Sequence, residues 1–180
     1  MTNKSLHDLN SQPRHASPIG FIGIGNMGFA MMARLRDQGW SCACYDIDLR
    51  QIEKAQQAGA EVMHDATQIA TACRISFLVV VDAAQVHDVL WGPAGFMRTA
   101  LHGDVIYLCP TLGPLDVVDI AQRAQSQGVT VIDAPMSGGP VRAREGQMSL
   151  MLAGAAHVLL QHAPLLDAIT PHRFVISETP

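Results

Sequence analysis

From Pro18 onward the chain alternates short apolar runs of strand character with longer segments of helical periodicity. Ile19–Ile24 is an apolar run broken by glycines, as expected of a strand buried on both faces. Met27–Gln38 then repeats its apolar positions at helical spacing and stops at Gly39, which suits a helix C-terminus. The same reading predicts strands over Ser41–Tyr45, Ala60–Met63 and Ile75–Val81. Further strands are expected over Asp104–Leu108, Val129–Ile132, Met148–Leu152 and Phe174–Ile176. Helices are expected over Asp48–Ala58, Ala66–Cys73, Ala83–Leu90, Pro114–Gln127 and Ala155–Ala168, with Asp65 as a capping residue. Strands and helices joined by short glycine-marked connections imply an α/β fold: a doubly wound, mainly parallel sheet with helices on both faces.

Composition narrows the class. The 180 residues suffice for one full-sized domain, and 48% hydrophobic against 16% charged residues excludes global disorder. The net charge is −4 and the arginines are scattered, so a nucleic-acid partner is not expected. No apolar run approaches the ~20 residues that span a bilayer, so no membrane partner is expected. Residues Met1–Pro18 are polar and lack the apolar stretch of a signal peptide, so they read as a flexible leader on a cytoplasmic protein whose domain spans 19–180. The four cysteines then fit reduced thiols. Cys42 and Cys44 fall on one face of a strand, where buried apolar packing outweighs a metal site, since no further ligands lie at matching spacing. The eight histidines show no ligand spacing either.

One corner carries chemistry. Gly23-Ile24-Gly25-Asn26-Met27-Gly28 is a G-x-G-x-x-G between the first strand and first helix. There Gly23 permits a tight turn, Gly25 lets backbone approach a pyrophosphate, and Gly28 lets the helix pack close to the sheet. The helix N-terminus offers N–H groups to the phosphates. Asp46 follows Gly28 by eighteen residues, close to the ~20 at which an acidic residue meets the adenosine ribose. Its charge, with that of Asp48, opposes a 2′-phosphate, so NAD is expected over NADP, with Arg50 the one complication. The alternative for Asp46 is a turn residue capping the helix from Asp48. Further on, Ser137-Gly138-Gly139 before Pro140 clusters backbone N–H groups into an anion-binding corner, or forms a plain tight turn.

At Gly20–Gly28, and again at Asp133-Ala-Pro-Met-Ser-Gly-Gly139 with Ala143, Gly146 and Met151-Leu-Ala-Gly154, the chain resembles the β-hydroxyacid dehydrogenase family. That group includes 3-hydroxyisobutyrate dehydrogenase and tartronate semialdehyde reductase. The likeness runs from Ile19 to Ser177. It implies a cofactor site formed by Gly23, Ile24, Gly25, Asn26, Met27, Gly28, Asp46 and Ile47, with Val80, Val81 and Gln85 lining the cofactor and Thr111 near the nicotinamide. Ser137, Gly138 and Gly139 would bind the substrate carboxylate. Val80-Val81 stand where the family has Leu-Pro, Pro110 where it has Ser, and Met136 where Val is common.

The resemblance also implies a catalytic lysine in a G-x-G-x-x-x-K-x-x-N-N segment beyond Pro180, followed by a helical domain. Lys4 and Lys54, the two lysines present, are not placed to stand in for it. The expectation is therefore an NAD-binding domain of a 3-hydroxyacid dehydrogenase, inactive by itself, with no catalytic residue in the chain. Its uncovered apolar surface would favour a homodimer. The alternatives are a non-enzymatic dinucleotide-binding module, or a subunit of another 6-phosphogluconate dehydrogenase-like protein.

Overall fold

The computed structural model describes residues 17–180, so all but the end of the expected leader, and Lys4 with it, lie outside the described residues. Strand β1 (Ile19–Ile22) is buried at all four positions, as a strand covered on both faces must be. It leads through the glycine corner into α1 (Asn26–Asp37), then β2 (Cys42–Tyr45), α2 (Leu49–Gln57) and the short β3 (Glu61–Val62). The second half follows as α3 (Ala66–Ala72), β4 (Ile75–Leu78), α4 (Ala83–Trp91), β5 (Val105–Leu108), α5 (Pro114–Gln125) and β6 (Thr130–Asp133). The remainder is β7 (Met136–Ser137), α6 (Gly139–Glu145), β8 (Ser149–Ala153), α7 (Ala156–Gln161), α8 (Ala163–Ile169) and β9 (His172–Ser177).

Six parallel strands lie in the order β3-β2-β1-β4-β5-β6, the Rossmann arrangement whose direction of winding reverses between β1 and β4. Past β6 the sheet turns antiparallel. β8 pairs β6 at Asp133–Ala153 and β7 at Met136–Leu150 in one continuous register, so β6 and β7 form one arm interrupted at Ala134-Pro135. β9 pairs β8 in parallel on the other side.

Each face of the sheet has its own core. One packs α1, α2, α6, α7 and α8 over Phe21, Phe77, Tyr107 and Ile132. The other packs α3, α4, α5 and a short 3-10 turn (Phe96–Arg98) over Ile22, Leu78, Ile106 and Leu108. On the first face, aligned register stacks Phe21 on Phe77 and Phe77 on Tyr107, with ring centroids 5.3 Å and 4.7 Å apart.

The single helix expected over Ala155–Ala168 is two. Pro164, in the first turn of α8, has no N–H for the carbonyl of Leu160, and its ring would crowd that carbonyl, so α7 stops at Gln161. The strands expected to run to Ile24 and Val81 end at Ile22 and Leu78. Cys42 and Cys44 are buried on one face in the α1/α2 core, and burial pushes their thiols up to about 12 and about 11. At the N-terminal side of the sheet, the buried Asp104 accepts from Leu101 N–H and pairs with Arg74 Nη1 at 2.6 Å. Burial pushes the Asp104 carboxyl up, and the Leu101 N–H and then the Arg74 guanidinium partly offset this. Arg74→Ala is therefore expected to cost about 2 kcal/mol, the size of one hydrogen bond to a charged group. Arg74 favours the ionised carboxylate, so the loss is felt above the carboxylate's titration and fades at acid pH. Urea unfolding at neutral and acid pH checks this. An equal loss at both would disprove the ion-pair account.

Candidate functional site

The residues singled out in the sequence gather at the C-terminal ends of the parallel strands, around the β1/β4 switch point. Gly23 follows β1 with φ +86°, a conformation glycine adopts freely, and its N–H donates to Tyr45 O. A Cβ on Gly28 would overlap the Gly23 carbonyl oxygen, so glycine there lets α1 lie against the turn. Gly25 differs from both. Its φ is −58°, and a Cβ would meet nothing within 4 Å. Among the described residues no neighbour requires Gly25 to lack a side chain. Its bare backbone faces open space beside the start of α1.

The start of α1 differs from those of the next three helices. Side chains of Asp48, Asp65 and Asp82 cap α2, α3 and α4 through the amides of Arg50, Gln68 and Gln85. Among the described residues no side chain caps α1, and its first turn carries no acidic residue. Its first-turn N–H groups, of Asn26, Met27 and Gly28, lie at the positive end of a twelve-residue helix.

Asp46 closes this corner from the side. Its Oδ2 accepts from Ile24 N–H at 2.6 Å and its Oδ1 from Asp48 N–H at 2.9 Å. The helix-capping alternative falls to Asp48 itself, whose Oδ1 accepts from Arg50 N–H at 3.0 Å. Asp48 also holds the Arg50 guanidinium at 3.1 Å and 3.2 Å, and Arg50 keeps the Asp48 carboxyl below its usual range. The Ile24 side chain is fully buried in the core, leaving only its backbone at the site. Ile47, by contrast, is 88% exposed on the loop after Asp46.

A cleft of about 430 Å³ opens between the glycine corner and the ends of β4 and β5. The backbone from Gly25 to Gly28 forms one wall. Val79–Val81, Cys109–Thr111 and Met136 form the others. Val80, Val81 and Thr111 thus meet Gly25, Asn26, Met27 and Gly28 at one cleft. Gln85 does not line it. Its Oε1 folds back to accept from Val81 N–H at 3.0 Å, fixing the loop after β4. Val79, Cys109, Pro110 and Met136 were not foreseen as wall residues. Strand alternation from β5 could have suggested Cys109, but only the pairing of β7 with β8 brings Met136 to the cleft.

Ser137 and Gly138 are exposed immediately beyond Met136, and Gly139 begins α6. Gly138 and Gly139 have φ +121° and +74°, so the corner needs its glycines. Asp133, half-buried at the end of β6, has its carboxyl pushed up by burial, with Ala134 N–H working against that. Lys54 sits apart, its Nζ 3.8 Å above the Phe29 ring in a separate cleft between α1, α2 and α6. Among the described residues no group of three His, Cys, Asp or Glu could hold a metal ion, and no helix is long and apolar enough to cross a membrane.

The model of the NAD-binding domain of 6-phosphogluconate dehydrogenase matches residues 18–177. An L-threonate dehydrogenase of Pectobacterium atrosepticum is 32% identical over 162 residues, 89% of this chain and 53% of that protein. A 2-hydroxy-3-oxopropionate reductase of Escherichia coli is 32% identical over 151 residues, 84% of this chain and 51% of its own. A crystal structure of 3-hydroxyisobutyrate dehydrogenase from Salmonella typhimurium superposes with a TM-score of 0.85 at 28% identity, covering 91% of this chain and 57% of that one. The chain spans about half the length of the curated relatives it matches.

Proposed function

Because the chain belongs to the family of NAD-binding domains of 6-phosphogluconate dehydrogenase, we propose that it holds NAD for a dehydrogenase acting on a small 3-hydroxy acid of the 3-hydroxyisobutyrate kind. The observation that carries this reading is the open backbone of Gly25 beside the uncapped start of α1, with the Asp46 carboxylate fixed next to it. Gly25, Asn26, Met27 and Gly28 would receive the pyrophosphate through backbone N–H groups. Asp46 has one lone pair left on each oxygen for ribose hydroxyls, and Ile47 offers the adenine an apolar neighbour. Val80, Val81 and Thr111 would flank the nicotinamide, with Gln85 steadying Val81. Ser137, Gly138 and Gly139 would receive the substrate carboxylate.

Bound NAD supplies the hydride-transfer chemistry, and the protein supplies orientation and a dry wall. Val79–Val81, Pro110 and Met136 give the cleft that apolar lining. Its one titratable side chain among the described residues is Cys109, a buried thiol that burial keeps protonated, so no thiolate stands ready to take a proton. These 180 residues are therefore expected to bind NAD while oxidising little or no hydroxy acid unaided.

NAD is favoured over NADP because Asp46 and Asp48 oppose a 2′-phosphate, while Arg50 is already engaged by Asp48. Calorimetric titration with each dinucleotide tests this. NAD should bind more tightly, and Asp46→Asn should reduce the NAD preference about tenfold, some 1.4 kcal/mol. The same change leaves one amide opposite an NH2 group and should cost about 2 kcal/mol of stability. Unchanged selectivity in a folded variant would place the ribose contact elsewhere, and equal binding of both dinucleotides would rule out the preference.

A further inference from the structure

Arg142 lies against the glycine corner. A Cβ on Gly138 would sit 3.2 Å from Arg142 Cδ and 3.3 Å from Arg142 Cβ, so the aliphatic stem of the arginine runs across Gly138. The helix sets that direction. Side chains on a helix lean toward its N-terminus, and Arg142 on α6 leans back over the residue just before the helix.

The fold gives the Arg142 head nothing to hold. Arg50, Arg74, Arg144 and Arg173 are engaged by Asp48, Asp104, Asp37 and Asp167. The Arg142 side chain is exposed, and among the described residues no ion pair, hydrogen bond or ring contact fixes its guanidinium. Glu145 follows one turn later, but it lines the cleft beside Lys54 and forms no ion pair with Arg142. Arg98 is unpaired as well, yet it belongs to the 3-10 turn on the opposite face of the sheet.

We infer that Arg142 makes this corner select an acid, its guanidinium gripping the substrate carboxylate from one side and the Gly138 and Gly139 N–H groups from the other. The inference rests on the proposed role of Ser137–Gly139 and adds the residue that sets its specificity. A guanidinium meets a carboxylate through two parallel bonds, which fixes orientation as well as charge. A carboxylate held there leads the rest of a small hydroxy acid along the arm toward Met136 and the cofactor cleft. The neutral amide of the same acid would keep the backbone contacts and lose the charge-assisted ones.

Titration of the NAD-saturated 180-residue chain tests this, using 3-hydroxyisobutyrate and its neutral amide and following the Gly138 and Gly139 amide resonances. Wild type should bind the acid about tenfold more tightly than the amide, or better. Arg142→Met keeps an unbranched stem over Gly138, and should lose about tenfold in acid affinity while binding the amide as wild type does. Arg142→Lys should recover part of that loss. Added salt should weaken acid binding more steeply in wild type than in Arg142→Met. Acid affinity unchanged in Arg142→Met would overturn the inference and leave the glycine corner standing. An equal loss for acid and amide, or one that Arg142→Lys does not relieve, would mark Arg142 as a structural prop and overturn it too. Wild-type resonances that respond to neither compound would overturn the role proposed for the corner, and this inference with it. NAD titration of the same proteins reports separately on the cofactor site, and should give one affinity for all three.

Discussion

Gly25→Ala is expected to weaken NAD binding at least tenfold while leaving the fold close to wild-type stability, whereas Gly28→Ala should damage the fold itself. The two glycines lie one helical turn apart and differ in what surrounds them. A methyl at Gly25 meets nothing within 4 Å and needs no unusual φ, so its structural cost is confined to a poorer helix start, within about 1 kcal/mol. That methyl occupies the space where a pyrophosphate would approach the backbone, and tenfold corresponds to ~1.4 kcal/mol. A methyl at Gly28 instead runs into the Gly23 carbonyl oxygen, with Val79 Cβ close behind at 3.4 Å. Neither neighbour can swing away, because one is main chain and the other borders β4. Overpacking of this kind costs about 3 kcal/mol. Thermal melts beside NAD titrations of the two variants would separate these effects. A Gly25→Ala protein that binds NAD like wild type would remove the main support for the proposed site, whatever its melting temperature.

Phe77→Ala is expected to destabilise the protein by about 4 kcal/mol, the middle of the range for losing a buried aromatic ring. Phe77 is fully buried at the middle of the Phe21–Phe77–Tyr107 stack, so its removal opens a cavity between two rings held by neighbouring strands. The strands cannot close that cavity without breaking the β1–β4 or β4–β5 pairing. At ~2–4 °C per kcal/mol for a chain of this size, the melting temperature should fall by about 8–16 °C. Differential scanning calorimetry gives the number, and a fall of only a degree or two would mean the sheet repacks more easily than its register suggests. Since β4 ends at the Val79–Val81 wall, the same variant should also bind NAD less tightly.

The parallel half of the fold was readable because each of its strands is a local apolar run with a glycine or aspartate marking the next turn. The glycine corner and Asp46 were readable for the same reason: their chemistry is set by residue type and spacing. What the sequence concealed depends on long-range pairing. Nothing near Asp46 indicates that its carboxylate accepts from Ile24 N–H, twenty-two residues away. β7 is two residues long, too short to show alternation, and it exists because β8 pairs beside it. The break between α7 and α8 could have been inferred from Pro164, but the apolar spacing from Ala155 to Ala168 runs straight through it. Gln85 was expected to line the cofactor, and nothing in the sequence indicates that its Oε1 accepts from the Val81 N–H.

The interrupted arm of β6 and β7 bears on how the two halves of the proposed site could ever change relative to each other. Because both stretches keep one register on β8, the glycine corner at Ser137–Gly139 and the cleft wall at Met136 are parts of a single rigid body. Alternation along that arm turns Met136 toward the cleft and leaves Ser137 exposed beyond it. A deletion of one residue at Ala134-Pro135 would slip the register and bring Ser137 to the place of Met136, presenting a hydroxyl where a thioether now stands, and an insertion would bring Pro135 there. Length in this short connection is thus a more severe constraint than composition, and evolution could retune the cleft by changing side chains far more readily than by changing spacing.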